Sequence, residues 1–190
     1  SDLDGTLLGD DIALKEFVSW WALQSDVLLA YSSGRFFDSI CQSIADTLLP
    51  NPDIIISGVG TEIHDFPNGR RWDDWPKDLN SWNAATIRDH LAGRPDLELQ
   101  PEEFLSARKV SYFANHWTSS KLRSLEESLA AINIRCRLIY SSSRDLDILP
   151  DSLGKGNAAL FVADQSCIDR KHVVGAGDSG NDACMLTSVG

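Results

Sequence analysis

Apolar side chains at Ile12, Leu14, Phe17, Val18 and Trp21 form a helical stripe, the last four spaced three and four positions apart, which predicts a helix over 11–24. The run Asp26-Val27-Leu28-Leu29-Ala30-Tyr31 is apolar without alternation and predicts a buried strand. A helix over 36–49 follows, ended by Pro50 and Pro52. Asp53-Ile54-Ile55-Ile56-Ser57 predicts a further buried strand, and 60–72 a hairpin around Pro67-Asn68-Gly69, an Asn-Gly turn signal. With a strand at the very start of the chain, the order is β-α-β-α-β. That order predicts an α/β fold with a parallel sheet and helices on both faces.

The pattern then changes. A helix is predicted over 76–92, a loop-rich stretch with Pro95 and Pro101 over 93–107, and a strand over 108–114. Thr118 caps a predicted helix over 118–133, and strands follow at 134–140 and 145–149. Helix-strand-helix-strand-strand describes an open-faced α/β sandwich inserted into the first unit, which resumes near Leu153. The expected division is 1–74, first part of the core; 75–152, an inserted α/β open-sandwich cap; and 153–190, the second part of the core. Only Ser1 precedes Asp2, whereas a strand needs about five residues. A fragment cut inside its first strand and again within a final helix is therefore expected.

Composition narrows the function classes. The chain of 190 residues has 43% hydrophobic residues, enough for a packed core, and a net charge of −11. Such acidity argues against a nucleic-acid or anionic-membrane surface, and no apolar run reaches the roughly 18 residues of a membrane span. Cys41, Cys136, Cys167 and Cys184 form no C-x-x-C pair. Reduced, mostly buried thiols in a cytoplasmic protein are expected. An anionic substrate would need local cations in this acidic chain.

Four segments carry chemistry. In Asp2-Leu3-Asp4-Gly5-Thr6-Leu7-Leu8 two carboxylates two apart at a strand end aim into one site. Like charges held together need a cation. A divalent metal with a phosphate ester is one chemistry that uses the pair, one carboxylate attacking phosphorus and the other moving protons. A calcium loop is excluded, because Gly5 is fourth and Ala13 twelfth where an EF-hand needs Gly sixth and Glu twelfth. Ser32-Ser33-Gly34-Arg35, at a strand end before a helix, offers a hydroxyl and backbone N–H groups to a phosphate oxygen. Lys155, in Gly154-Lys155-Gly156-Asn157-Ala158, stands at a helix start, where a cation opposes the dipole unless an anion is near. The strand-turn-helix His172–Asp182 delivers Asp178 and Asp182 to a strand end, where a metal could take them.

Two nucleotide motifs fail. Gly175, Gly177 and Gly180 match G-x-G-x-x-G, but Asp178 puts negative charge where a pyrophosphate would lie. Gly154-Lys155 is no Walker loop, since Leu149 replaces the first Gly and Gly156 the Ser/Thr. His64, His90, His116 and His172 lie in unrelated contexts and read as structural or surface residues. Trp72, Trp75 and Trp82, near the cap's start, read as core packing, with a sugar-stacking platform as the rival reading.

In this order the four segments resemble the motifs of the haloacid dehalogenase superfamily of phosphatases: Asp2–Thr6 the first, Ser33 the second, Lys155 the third and Gly177–Asp182 the fourth. Val59–Ile63, Lys109–Tyr112, Ser141–Pro150 and Lys155–Ala158 resemble the sucrose-phosphate phosphatase branch. Ser33 stands where that branch usually has Thr, and Ser143 where Gly is common; the hydroxyl at 33 survives.

The resemblance implies a Rossmann-like core with an inserted cap and a Mg²⁺-dependent phosphatase. Asp2 would form an aspartyl-phosphate, while Asp4 protonates the leaving sugar oxygen and then activates water. Ser33, Gly34, Lys155 and Asn181 would hold phosphoryl oxygens, and Arg35 would reach the substrate. Mg²⁺ would take Asp2, the Asp4 backbone carbonyl, Asp178, and waters held partly by Asp182. The expected partner is a small-molecule sugar phosphate, sucrose 6-phosphate first, and the expected state a monomer. Phosphatases of mannosyl-3-phosphoglycerate or another hexose phosphate are the nearest alternative. A non-catalytic phosphatase-like domain of a sucrose-phosphate synthase is the other, opposed by the retained Asp2, Asp4, Lys155 and Asp178. Lys109, Ser111, Arg144, Asp145 and Asp147 are the cap's candidates for sugar hydroxyls.

Overall fold

The computed structural model describes residues 1–76, 79 and 81–190. Among these residues the chain forms two sheets. In the first, β1 (Ala30–Ser32) pairs in parallel with β2 (Ile54–Ser57), and β2 pairs antiparallel with β3 (Glu62–Asp65). Residues 1–3 extend it along the free edge of β1. Ser1 N donates to Ala30 O, Ser32 N to Ser1 O, and Asp2 N to Ala176 O.

Period-two burial sets the two faces of this sheet. Leu29, Tyr31 and Ile55 point one way, with Leu3, onto α1 (Asp11–Trp21) and α2 (Phe37–Asp46). Ile54 and Ile56 point the other way, onto Ala158 and Val162 of α5 (Lys155–Gln165). Helices therefore cover both faces, as an α/β core requires. The hairpin after β2 is present, since Asp65 N donates to Arg70 O and Trp72 N to Ile63 O.

The second sheet is antiparallel, with order β4-β5-β7-β6: β4 Glu98–Leu99, β5 Val110–Phe113, β6 Cys136–Ser141 and β7 Asp145–Pro150. One face meets α3 (Ala84–Leu91) and α4 (Ser119–Ala131) through Val110, Tyr112, Leu146, Ile148, Ile87, Leu91, Leu125 and Leu129. The opposite face turns toward the first unit, and Ile139 and Leu149 join its core.

Several elements differ from expectation. The predicted 26–31 strand is regular only from Ala30, because Asp26 has a positive φ of 60° and Val27 is exposed. The 76–92 helix begins at Ala84. Asn83 takes the N-cap and accepts from Thr86 N at 3.0 Å, a better cap than the residues before Pro76. Residues 77, 78 and 80 of that prediction lie outside the described residues. The 93–107 stretch is not all loop, for it holds β4 and a 3-10 turn at Glu102–Phe104. The cysteines are unpaired, but Cys167 is exposed and the others only half-buried. No helix among the described residues is long and apolar enough to cross a membrane.

Candidate active site

The site assembles where the ends of the first sheet meet α5 and the loop before α6 (Ala183–Ser188). Lys155 is 1% exposed, and its Nζ donates to Asp2 Oδ1 and Asp182 Oδ1, both at 2.7 Å. A cation at a helix start is explained by these two carboxylates. Asp182 is fully buried, and its second oxygen accepts from Ser179 N at 3.1 Å and Ser179 Oγ at 3.2 Å. Asp2, Asp178 and Asp182 each bring a carboxylate oxygen within 4.8 Å of the others.

Three carboxylates against one ammonium leave two negative charges uncompensated at this point. Burial pushes the Asp2 carboxyl above its usual range, with the Lys155 ammonium pulling the other way. An all-oxygen, doubly negative cluster is the donor set that suits a hard divalent cation. Asp178 reaches it by packing on the first loop. A Cβ on Gly5 would lie 2.2 Å from Asp178 Oδ2, and Gly5 has φ +77°. The backbone angle favours glycine there, and any side chain would push the Asp178 carboxylate from its place.

Asp4 has different partners from Asp2. The carbonyl of Leu3 accepts from the amides of Thr6, Leu7 and Leu8, so the chain has already left the strand at Asp4. The Asp4 side chain is 53% exposed and is gripped by Arg35, whose Nε and Nη2 donate to its two oxygens at 2.8 and 2.5 Å. Arg35 Nη1 donates to Ser43 Oγ at 2.7 Å.

Ser33 is buried, and its Oγ accepts from Arg35 N at 3.2 Å. Backbone bonds clip this loop to the turn after β2: Ser33 N donates to Ile56 O, Val59 N to Ser33 O, and Gly58 N to Arg35 O. Val59 sits fully buried at φ +61°, a left-handed conformation that a β-branched residue rarely adopts. A Cβ on Gly60 would lie 2.3 Å from the carbonyl carbon of Gly154. One turn, 58–60, thus braces both the Ser33 loop and the start of α5. Gly34 lies against Asn181, whose Oδ1 accepts from Ser179 Oγ at 3.1 Å. Asp2, Lys155, Asp178 and Asp182 therefore meet in one cluster, Asp4 and Arg35 in a second, and the Ser33–Gly34 loop joins Arg35 to Asn181.

On the second sheet, Asp147 Oδ1 accepts from Ser111 Oγ at 2.6 Å and pairs with Lys109 Nζ at 3.5 Å. The buried Lys109 ammonium lies 4.9 Å from the Phe36 ring centroid, across the seam between the two units. Asp145 Oδ1 accepts from Gln100 Nε2, and Arg144 stacks over Phe113. The tryptophans pack: the Trp75 indole donates to Gly60 O, that of Trp72 to Asp65 Oδ1, and that of Trp82 to Ala107 O. Ser43 and Phe36 carried no motif signal, since each matters only through the fold that brings it to Arg35 or Lys109. Ser179, though inside the fourth motif, had no role assigned to it before the fold showed it holding Asp182.

Known proteins resemble this chain along nearly its whole length. A mannosylfructose-phosphate phosphatase of Agrobacterium fabrum is 34% identical over 193 residues, covering 98% of this chain and 77% of that protein. A probable sucrose-phosphatase of Arabidopsis thaliana is 32% identical over 199 residues, covering 98% of the chain but 47% of its own length. The chain thus spans about half of that plant relative. The Synechocystis sucrose-phosphatase, solved with sucrose and phosphate, superposes with a TM-score of 0.91 at 28% identity, covering 98% of this chain and 77% of that one. The family model for sucrose-6F-phosphate phosphohydrolase matches residues 1–189. The chain belongs to that family of phosphoric monoester hydrolases, within the haloacid dehalogenase superfamily.

Proposed function

We propose that this chain is a magnesium-dependent phosphatase that hydrolyses a disaccharide phosphate, sucrose 6-phosphate first, through an aspartyl-phosphate on Asp2. The observation that carries the reading is Lys155, buried between Asp2 and Asp182 at 2.7 Å from each, with Asp178 beside them. This supports an oriented carboxylate nucleophile next to a cation-binding cluster. Retention of Asp2, Asp4, Lys155 and Asp178 argues against a non-catalytic domain.

An oxygen of the Asp2 carboxylate forms a bond to phosphorus as the bond from phosphorus to the sugar oxygen breaks. The departing oxygen takes a proton from the Asp4 carboxyl and leaves as the free sugar. Asp4, now a carboxylate, takes a proton from water whose oxygen attacks phosphorus. The Asp2–phosphorus bond breaks, inorganic phosphate departs, and both carboxyls regain their first state. Lys155 uses two of its three N–H donors on carboxylates, leaving the third for a phosphoryl oxygen. Ser33, Gly34 and Asn181 would complete that grip. Asp2, the Asp4 carbonyl and Asp178 would hold Mg²⁺, with Asp182 acting through bound water. Bound there, the ion would screen the charge of carboxylate and phosphate so that two anions can meet. Residues 75–152 would act as the cap that reads the sugar, with Lys109, Ser111 and Asp147 facing it.

The mannosylfructose-phosphate relative favours a second disaccharide phosphate as substrate. Phosphate release by the full-length protein, measured on sucrose 6-phosphate, mannosylfructose phosphate, mannosyl-3-phosphoglycerate, trehalose 6-phosphate and simple hexose phosphates, separates these readings. A disaccharide phosphate is expected to lead the panel. Asp2→Asn is expected to lower kcat by about 10⁴-fold or more, as removal of a covalent nucleophile does. Near-normal turnover in that variant would sink the mechanism.

A further inference from the structure

Arg35 stands two residues after Ser33, where a guanidinium would be expected to meet the substrate. Its donors are directed elsewhere. Nε and Nη2 fork onto both oxygens of Asp4 at 2.8 and 2.5 Å, and Nη1 reaches Ser43 Oγ at 2.7 Å. Ser43 is fixed in turn, because its hydroxyl donates to Ser39 O at 3.0 Å within α2. The chain of contacts runs from a packed helix through a planar fork to one carboxylate.

Asp4 needs such a hold. Its side chain is 53% exposed on a loop that has left the sheet, and among the described residues Arg35 is the only side chain paired with it. An exposed ion pair adds little to stability. A two-bond fork does something a lysine cannot: it fixes both the position and the plane of a carboxylate. What the contact supplies is geometry, and general acid–base transfer needs the carboxyl within hydrogen-bond reach of the oxygen it serves.

We propose that Arg35 is a positioning residue for proton transfer, acting through Asp4 rather than on the substrate, with Ser43 as its brace. The proposal rests on the reading of Asp4 as the group whose proton passes to the leaving oxygen when the phosphorus–oxygen bond breaks. It replaces the direct substrate contact that the sequence resemblance implies for Arg35.

The test uses substituted phenyl phosphates, which carry no sugar hydroxyls and span good to poor leaving groups. kcat/KM reports the steps through departure of the leaving group. In full-length wild-type protein it should fall only gently as the leaving group worsens. Asp4→Asn should make that dependence steep, because poor leaving groups need the proton and good ones do not. Arg35→Gln should steepen it too, with a loss on the order of 10–100-fold on the poorest ester and under about threefold on the best. Arg35→Lys, which keeps charge without the fork, should recover only part of the loss. In the Asp4→Asn background, Arg35→Gln should add less than about twofold, since residues acting through one another are not additive. Ser43→Ala, checked by circular dichroism, should show a milder steepening and serves if Arg35→Gln fails to fold. Equal loss on every ester, or additive loss in the double variant, would put Arg35 on the phosphoryl group and overturn the proposal. An unchanged slope in Arg35→Gln would overturn it as well. An unchanged slope in Asp4→Asn alone would remove the underlying reading of Asp4.

Discussion

Gly5 shows how much of this site depends on single atoms. Its φ of +77° already disfavours any side chain, and a Cβ would come within 2.2 Å of Asp178 Oδ2. Gly93 supplies a matched control, for it has φ +76° and nothing within 4 Å of the same added atom. Both substitutions to alanine should cost about 1–2 kcal/mol of stability for the left-handed backbone, seen as similar falls in Tm. Only Gly5→Ala should also displace Asp178 and lower kcat, by about 10²-fold, as a misplaced catalytic group does. Equal activity in the two variants would mean that Asp178 tolerates displacement. The acids themselves are legible in sequence as a pair two residues apart. Their separate environments are not: the turn begins at Leu3, so Asp2 meets buried Lys155 while Asp4 meets half-buried Arg35. Nothing local in a sequence records which cation each carboxylate will meet.

Elements with a strong period are readable, and those decided by partners are not. The Ile54–Ile56 run is fully buried as its spacing predicts, and the α1 stripe buries Leu14 and half-buries Phe17, Val18 and Trp21 while leaving Ile12 at 72% exposed. Thr118 caps α4 as expected, accepting from Lys121 N. By contrast β1 shrinks to the residues that find partners at 54–56, and β4 is two exposed residues paired to β5, too short to carry a pattern. The second sheet's inward face belongs to this scale too. Asp147 accepts from Ser111 and forms an ion pair with the buried Lys109, which leans over Phe36 beside Arg35. Sites that hydrogen-bond substrate hydroxyls reject analogues lacking them by large factors. Asp147→Asn keeps an acceptor for Ser111 but removes the charge that holds Lys109. It should lower kcat/KM for the disaccharide phosphate by at least about tenfold and leave p-nitrophenyl phosphate within about threefold. Equal losses on both substrates would show that this face shapes the catalytic centre rather than the choice of sugar.

At the scale of the whole molecule, the cluster ties together parts of the chain that local patterns cannot relate. Asp2 and Lys155 are 153 positions apart and meet at 2.7 Å, joined by Asp178 and Asp182. Only the ordered motifs, taken as a resemblance, anticipate this meeting, because no pattern of hydrophobic spacing encodes it. Its energetics are unusual. Breaking a buried ion pair costs about 3–5 kcal/mol, yet here two negative charges remain even with Lys155 in place, in a molecule already at net −11. A divalent ion bound at the cluster would relieve that repulsion in the folded state alone and so raise stability by mass action. At 100 times its Kd the gain is about 2.7 kcal/mol, and a chain of this size shifts by about 2–4 °C per kcal/mol. Mg²⁺ should therefore raise Tm by about 5–10 °C. Salt alone also screens an acidic protein, so the comparison must be made against NaCl at equal ionic strength. Asp178→Asn should remove most of the Mg²⁺-specific rise while keeping the response to NaCl, because Asp178 takes no part in the Lys155 pairing. A rise that persists undiminished in Asp178→Asn, or that NaCl reproduces in full, would place the ion elsewhere or reduce it to general screening.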